Sequence, residues 1–90
     1  MPVPPLYVSQ LSKPFENDYI SITGETRAKV LEAMQAILSN LESKGWDVKA
    51  VNSGSGDFSV RINQHLRLHY NKNVGLVTFL RIIEDFDDLA

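Results

Sequence analysis

The chain has 90 residues, of which 43% are hydrophobic and 22% charged, with a formal net charge of −2; this composition suits a single folded domain and excludes a disordered chain. It contains no cysteine, which excludes a disulfide framework and a thiolate metal site and fits a reducing, cytoplasmic location. The opening Met1-Pro2-Val3-Pro4-Pro5 lacks a basic n-region and a long apolar h-region, and no apolar run approaches the roughly 18 residues of a spanning helix, so neither secretion nor membrane insertion is expected.

In chain order, Leu6, Val8 and Leu11 suit an edge strand, and Pro14 interrupts any longer element before Gly24. Phe15, Tyr19 and Ile22 are expected to tuck under the helix that follows. The periodicity predicts that helix from Gly24 to about Lys44. Val30, Leu31, Met34, Ile37, Leu38 and Leu41 recur three and four residues apart, while Lys29, Glu32, Gln35, Ser39 and Glu42 fill the other faces. Thr23 is the expected N-cap, Glu25 favours the helix dipole from the first turn, and Lys44-Gly45 offers a last-turn cation followed by a C′ glycine. At about 1.5 Å per residue, such a helix is roughly 30 Å long.

After Gly45 the period falls from 3.6 to 2, which marks strands. Trp46, Val48 and Ala50 alternate with Asp47, Lys49 and Val51, and a turn is expected over 52–57. Phe58, Val60 and Ile62 alternate with Ser59 and Arg61, and Leu66, Leu68 and Tyr70 alternate with Arg67 and His69. With Asn63-Gln64-His65 between them, these two runs form a hairpin. A three-residue loop pairs Ile62 with Leu66, hence Val60 with Leu68 and Phe58 with Tyr70 on the apolar face. On the polar face Arg61 then opposes Arg67 and Ser59 opposes His69. Two arginines directly opposite each other repel unless an acid or an anion lies between them. Asn71-Lys72-Asn73 turns the chain into a long apolar run from Val74 to Ile83, the pattern of a central or covered strand.

The predicted architecture is therefore α+β, one long amphipathic helix packed on an antiparallel β-meander of three to four strands. It is organised as a single domain: 1–23 an irregular or edge-strand arm, 24–44 the helix, 46–83 the sheet and 84–90 an acidic tail. Charge follows these divisions. Residues 44–83 hold six basic side chains against Asp47 and Asp57, and the last seven residues hold four acids and no base. A basic sheet attracts phosphate, although solvated surface gives the same pattern.

Familiar chemical motifs are missing. Gly54-Ser55-Gly56 has neither the spacing nor the lysine of a phosphate loop and precedes a strand. His65 and His69 lie some 13 Å apart along a strand, too far for a zinc pair. The acids from Glu84 to Asp88 lack the spacing of a calcium loop. No metal and no cofactor are expected. What remains is Arg61, Arg67, His69 and Arg81 as candidate catalytic residues, with Ser59, Tyr70 and Lys72 as candidate substrate-binding neighbours. Arginines on strands offer preorganised bidentate donors to a nucleic-acid backbone. Phosphodiester cleavage would need a base for the 2′-hydroxyl proton, an acid for the leaving 5′-oxygen and cations for the developing charge, and His69 is the histidine placed for proton transfer. The same residues also suit the wet face of a sheet, with Arg81 paired to Glu84 or Asp85.

The stretch from Gly56 to Tyr70, GDFSVRINQHLRLHY, followed by Val77-Thr78-Phe79-Leu80-Arg81-Ile82, resembles the core of the RelE/ParE toxin superfamily. The shared pattern is a glycine, an aromatic, an Arg-Ile strand, a short turn, an Arg-aliphatic strand ending in an aromatic, and a last hydrophobic strand. The resemblance implies that Arg61 and Arg67 match the strand arginines that bind substrate phosphate in ribosome-dependent mRNA-cleaving members, and that Arg81 matches a basic residue of the last strand. Ile83 to Asp88 stands where the nuclease members carry a short His- or Tyr-containing motif. The partners implied are an antitoxin protein and either the ribosome with its mRNA or, for a ParE-type member, a topoisomerase. The other function open to this scaffold is a non-enzymatic interaction module that uses its basic sheet or acidic tail to bind a protein.

Overall fold

A computed structural model describes residues 6–52 and 56–84. Residues 53–55 of the turn expected over 52–57, and all of the acidic tail beyond Glu84, lie outside the described residues. The elements run β1 (Val8–Leu11), α1 (Lys13–Ser21), α2 (Gly24–Leu38), β2 (Val48–Asn52), β3 (Asp57–Arg61), β4 (Leu66–Asn73) and β5 (Leu76–Glu84). The fold is α+β as expected. It differs from expectation in having two helices and a five-stranded mixed sheet, in place of one long helix on three to four antiparallel strands. Among the described residues, no helix is long and apolar enough to cross a membrane.

The helix missed by sequence reading is α1, and Pro14 explains both the miss and the helix. Proline breaks a helix interior, but here it falls in the first two positions, where the missing N–H has no partner to lose. Ser12 is the N-cap: its Oγ accepts from Phe15 N at 3.1 Å and donates to Leu80 O at 2.8 Å, so one hydroxyl caps α1 and ties it to β5. The second helix is shorter than its apolar period suggests and ends at Leu38. Asn40 adopts φ 59, with Asn40 N donating to Ile37 O and Leu41 N to Ala36 O. That is a Schellman stop with asparagine at C′, five residues before the glycine expected to do the job. The early stop removes Leu41 and Glu42 from the helix and turns Glu42 inward, where it is buried.

The sheet order is β1-β5-β4-β3-β2. Strands β2 to β5 form an antiparallel meander, and β1 adds at one edge, parallel to β5 with Val8 beside Leu76 and Leu11 beside Phe79. The β3–β4 register is the one read from the hairpin: Phe58 opposite Tyr70, Ser59 opposite His69, Val60 opposite Leu68 and Arg61 opposite Arg67. Asn63 Oδ1 accepts from His65 N at 2.7 Å and Leu66 N at 3.0 Å, which closes the three-residue loop. Phe15 from α1, Val30, Ala33 and Ile37 from α2, and Val60, Leu68, Tyr70, Val77 and Phe79 from the sheet form one core. Each large apolar side chain buried there contributes about 1.5–3 kcal/mol. Both helices therefore bury apolar residues against the same side of the sheet, and its other side remains open for polar chemistry.

Candidate functional site

Strand pairing builds the open face in two rows. Lys49, Ser59, His69 and Arg81 are successive cross-strand partners on β2, β3, β4 and β5, and Arg61, Arg67 and Ile83 form the next row. A shallow pocket of about 350 Å³ on this face is lined by Lys49, Ser59, Arg67, His69, Ile83 and Glu84, among others. It brings together three of the residues singled out in the sequence, Ser59, Arg67 and His69. Lys49 and Glu84 were missed as site residues. The alternation of β2 could have placed Lys49 on this face, had the β2–β3 register been known. His65 sits in the 63–65 loop, apart from His69 in the row.

Arg67 is the most deeply held of the candidates, only 2% exposed. Its Nε donates to Ser59 Oγ at 2.8 Å, its Nη2 to Ser59 O at 3.0 Å and to Asp47 O at 2.9 Å, and its Nη1 to Asp47 Oδ2 at 3.4 Å. A buried guanidinium requires such saturation, because an unpaired charge in this position would be costly. Arg61 lies beside it, with Nη1 donating to Asn63 O at 3.0 Å and Nε 3.8 Å from Asp47 Oδ2. Asp47, the residue just before β2, thus places a carboxylate beside both facing arginines.

Arg81 stands at the end of the first row but reaches around the strand to α1. Its Nε donates to Asp18 Oδ2 at 2.8 Å and its Nη2 to Asp18 Oδ1 at 3.2 Å, a forked pair. The carboxylate is Asp18, rather than Glu84 of its own strand. Asp18 Oδ2 also accepts from Ile82 N at 2.9 Å, which covers the β5 edge beyond the reach of β1. The Arg81 hydrogen bonds, helped by the Ile82 N–H, hold the Asp18 carboxyl below its ordinary value of 3.8 against the opposing effect of burial. A depressed folded-state value means that this group stabilises the fold above pH 3.8 and loses that contribution as pH falls through its lowered value. Asp18→Asn should therefore flatten the acid limb of a melting-temperature profile, leaving a smaller drop below pH 4 than in the wild type. An unchanged acid limb would remove the linkage. The half-exposed Arg81 makes the effect modest.

Tyr70 and Lys72 lie on the opposite side of the sheet from His69. Strand alternation turns both toward the helices, where Tyr70 joins the core. There Tyr70 Oη donates to Glu42 Oε2 at 3.3 Å and Lys72 Nζ donates to the same oxygen at 2.7 Å. Burial, and then the neighbouring Glu42 charge, push the Tyr70 hydroxyl well above its usual value, so it remains protonated and a donor. Lys72 Nζ also lies 4.8 Å from the centre of the Tyr7 ring. The candidate set is therefore divided among three places: the open face, the α1–β5 edge and the helix side.

No protein-family model matches the sequence, and no curated protein matches it. Solved structures do. YoeB from Staphylococcus aureus, solved as a dimer, superposes with a TM-score of 0.75 at 20% identity, covering 90% of this chain and 99% of that one. A chain of the archaeal RelE–RelB complex from Pyrococcus horikoshii matches with a TM-score of 0.73 at 16% identity, over 88% and 94% of the two chains. YafQ from Escherichia coli matches with a TM-score of 0.72 at 16% identity, over 88% and 93%. From edge strand through helical hairpin to antiparallel meander, the chain has the fold of the RelE-like toxins.

Proposed function

We propose that the protein is the toxin component of a toxin–antitoxin pair, that its open sheet face binds RNA, and that it cleaves mRNA on the ribosome. The observation that carries this reading is the pocket in which Lys49, Ser59, Arg67, His69 and Glu84 meet, on a fold shared with YoeB, YafQ and RelE. His69 and Glu84 are the pair able to exchange protons with the 2′-hydroxyl and the leaving 5′-oxygen. Lys49 and Arg61 supply positive charge to the phosphate, while Ser59 and Arg67 form the rigid floor. The partner is an antitoxin that restrains this activity, as the RelB, YefM and DinJ partners are bound in the neighbouring complexes.

A second reading is favoured by a specific observation: Asp47 and Asp18 already hold Arg67 and Arg81. On that reading the scaffold is a binding module, either non-enzymatic or of the ParE type acting on a topoisomerase. Inducible expression in a bacterial host separates the two. The RNase reading expects growth arrest with translation failing first. It also expects Lys49→Ala with His69→Ala to restore growth while lowering cleavage about a hundredfold or more. Harmless wild-type expression, or DNA damage preceding any loss of translation, would overturn it.

A further inference from the structure

The early stop of α2 shapes a second pocket, on the helix side of the sheet. Asn40, Glu42 and Ser43, from the segment after the helix, meet Val48, Phe58 and Tyr70 around about 260 Å³. This pocket is separate from the open face because neighbouring strand residues project to opposite sides. Val48 is paired with Val60 of the core, and Lys49 with Ser59.

Its walls differ in character. Val48 and Phe58 supply apolar surface, and the partly buried Phe58 ring stacks on Tyr70 with centroids 5.8 Å apart. The polar wall is Glu42, only 7% exposed. Its Oε2 accepts from both Tyr70 Oη and Lys72 Nζ, whereas Oε1 meets no donor among the described residues. Nor is Oε1 sealed in: among the described residues, the fully buried side-chain polar atom without a partner is Arg27 Nε. Oε1 therefore keeps access to the pocket that Glu42 lines, and in so dry a setting a carboxylate oxygen is a strong acceptor.

Lys72 balances the Glu42 charge, and the same ammonium is held by Asn40 Oδ1 and the Tyr7 ring. The pocket thus suits a neutral N–H donor better than a second cation, carried on a flat ring that lies against Phe58. Nearer the solvent, the Ser43 hydroxyl and the Asn40 amide nitrogen, both on exposed residues, offer donors of their own. An amine flanked by ring-nitrogen acceptors on a flat ring is the edge presented by adenine. The volume lies just under the roughly 300–1,000 Å³ of drug-sized sites, which suits a single base.

We propose that this pocket binds an adenine ring, its exocyclic amine donating to Glu42 Oε1, a ring nitrogen accepting from Ser43 or Asn40, and its face against Phe58. The base belongs either to a free nucleoside or to an RNA chain. The proposal goes beyond the RNA reading of the open face and does not depend on it.

The test titrates isotope-labelled full-length protein with adenosine, inosine and purine riboside, and then with oligoadenylate and oligouridylate RNA. The wild type is expected to bind adenosine at least about tenfold more tightly than purine riboside, which lacks the amine, or inosine, which sets a carbonyl oxygen against the carboxylate. That ratio is the size of one hydrogen bond to a charged group. The Ser43, Phe58 and Tyr70 signals should shift. In Glu42→Gln the amide keeps its oxygen on the Tyr70 and Lys72 donors and turns its NH2 to the pocket, so the preference should invert to inosine. A folded variant that still prefers adenosine overturns the proposal. Shifts with oligoadenylate but not oligouridylate assign the base to RNA, and shifts with adenosine alone assign a free nucleoside. Should Glu42→Gln lose its fold, the wild type is decisive: equal binding of the three nucleosides, or no shift at these residues, overturns the proposal. Either result leaves the open-face reading intact, because Lys49, Ser59 and His69 line the other pocket.

Discussion

Arg67→Ala is expected to lower the unfolding free energy by about 3 kcal/mol in a urea titration. Removing one partner of a fully buried ion pair costs about 3–5 kcal/mol. The lower end applies here because Asp47, 56% exposed, can be rehydrated. The remainder of the loss comes from Ser59, whose hydroxyl and carbonyl both accept from the guanidinium in a buried setting, and from the space left on the open face. Arg67→Met should recover part of the stability by filling that space. A cost below about 1 kcal/mol for the alanine variant would show that the network contributes little. The result bears on function as well, because relief of growth arrest by Arg67→Ala would reflect loss of folded protein unless protein abundance were measured alongside. Lys49 and His69 are therefore better probes of the chemistry.

Glu42→Leu should cost about 2 kcal/mol, and more than Glu42→Gln. The carboxylate is buried and serves two donors, Tyr70 Oη and Lys72 Nζ, through the same oxygen. Without it, the Tyr70 hydroxyl is left in the core with no acceptor, and Lys72 retains Asn40 Oδ1 and the Tyr7 ring. The cost is smaller than for Arg67 because the Lys72 side chain keeps 14% exposure and Glu42 keeps 10%. A double-mutant cycle with Lys72→Met is the decisive measurement. Removing both charges should be less harmful than the sum of the single changes, since the uncompensated partner disappears. Additive costs would mean that the two groups do not sense each other.

The helix–strand division, the hairpin register and the facing arginines were legible in the sequence because each follows from local periodicity and the length of one loop. Val60, Leu68 and Tyr70 alternate with residues of the opposite face, so a one-residue slip is excluded, and the three-residue loop selects the register among those that remain. The extent of α2 was less legible. The apolar stripe continues to Leu41, but an asparagine able to take a left-handed conformation ended the helix at Leu38, and periodicity carries no record of that competition. Helix α1 was hidden because the meaning of Pro14 depends on its position, disruptive within a helix and harmless in its first turn.

The sequence by itself determined which residues form the two faces of the β3–β4 hairpin and that its polar face concentrates positive charge, since both are consequences of alternation along a strand. Only the tertiary structure decided what neutralises that charge and how the candidates divide. Asp47 reaches Arg67 from 20 residues away and Asp18 reaches Arg81 from 63, and β1 joins β5 across nearly the whole chain. Ion pairs and parallel strand contacts of this kind form between segments brought together by burial of the common core, so neither spacing nor composition along the chain encodes them directly.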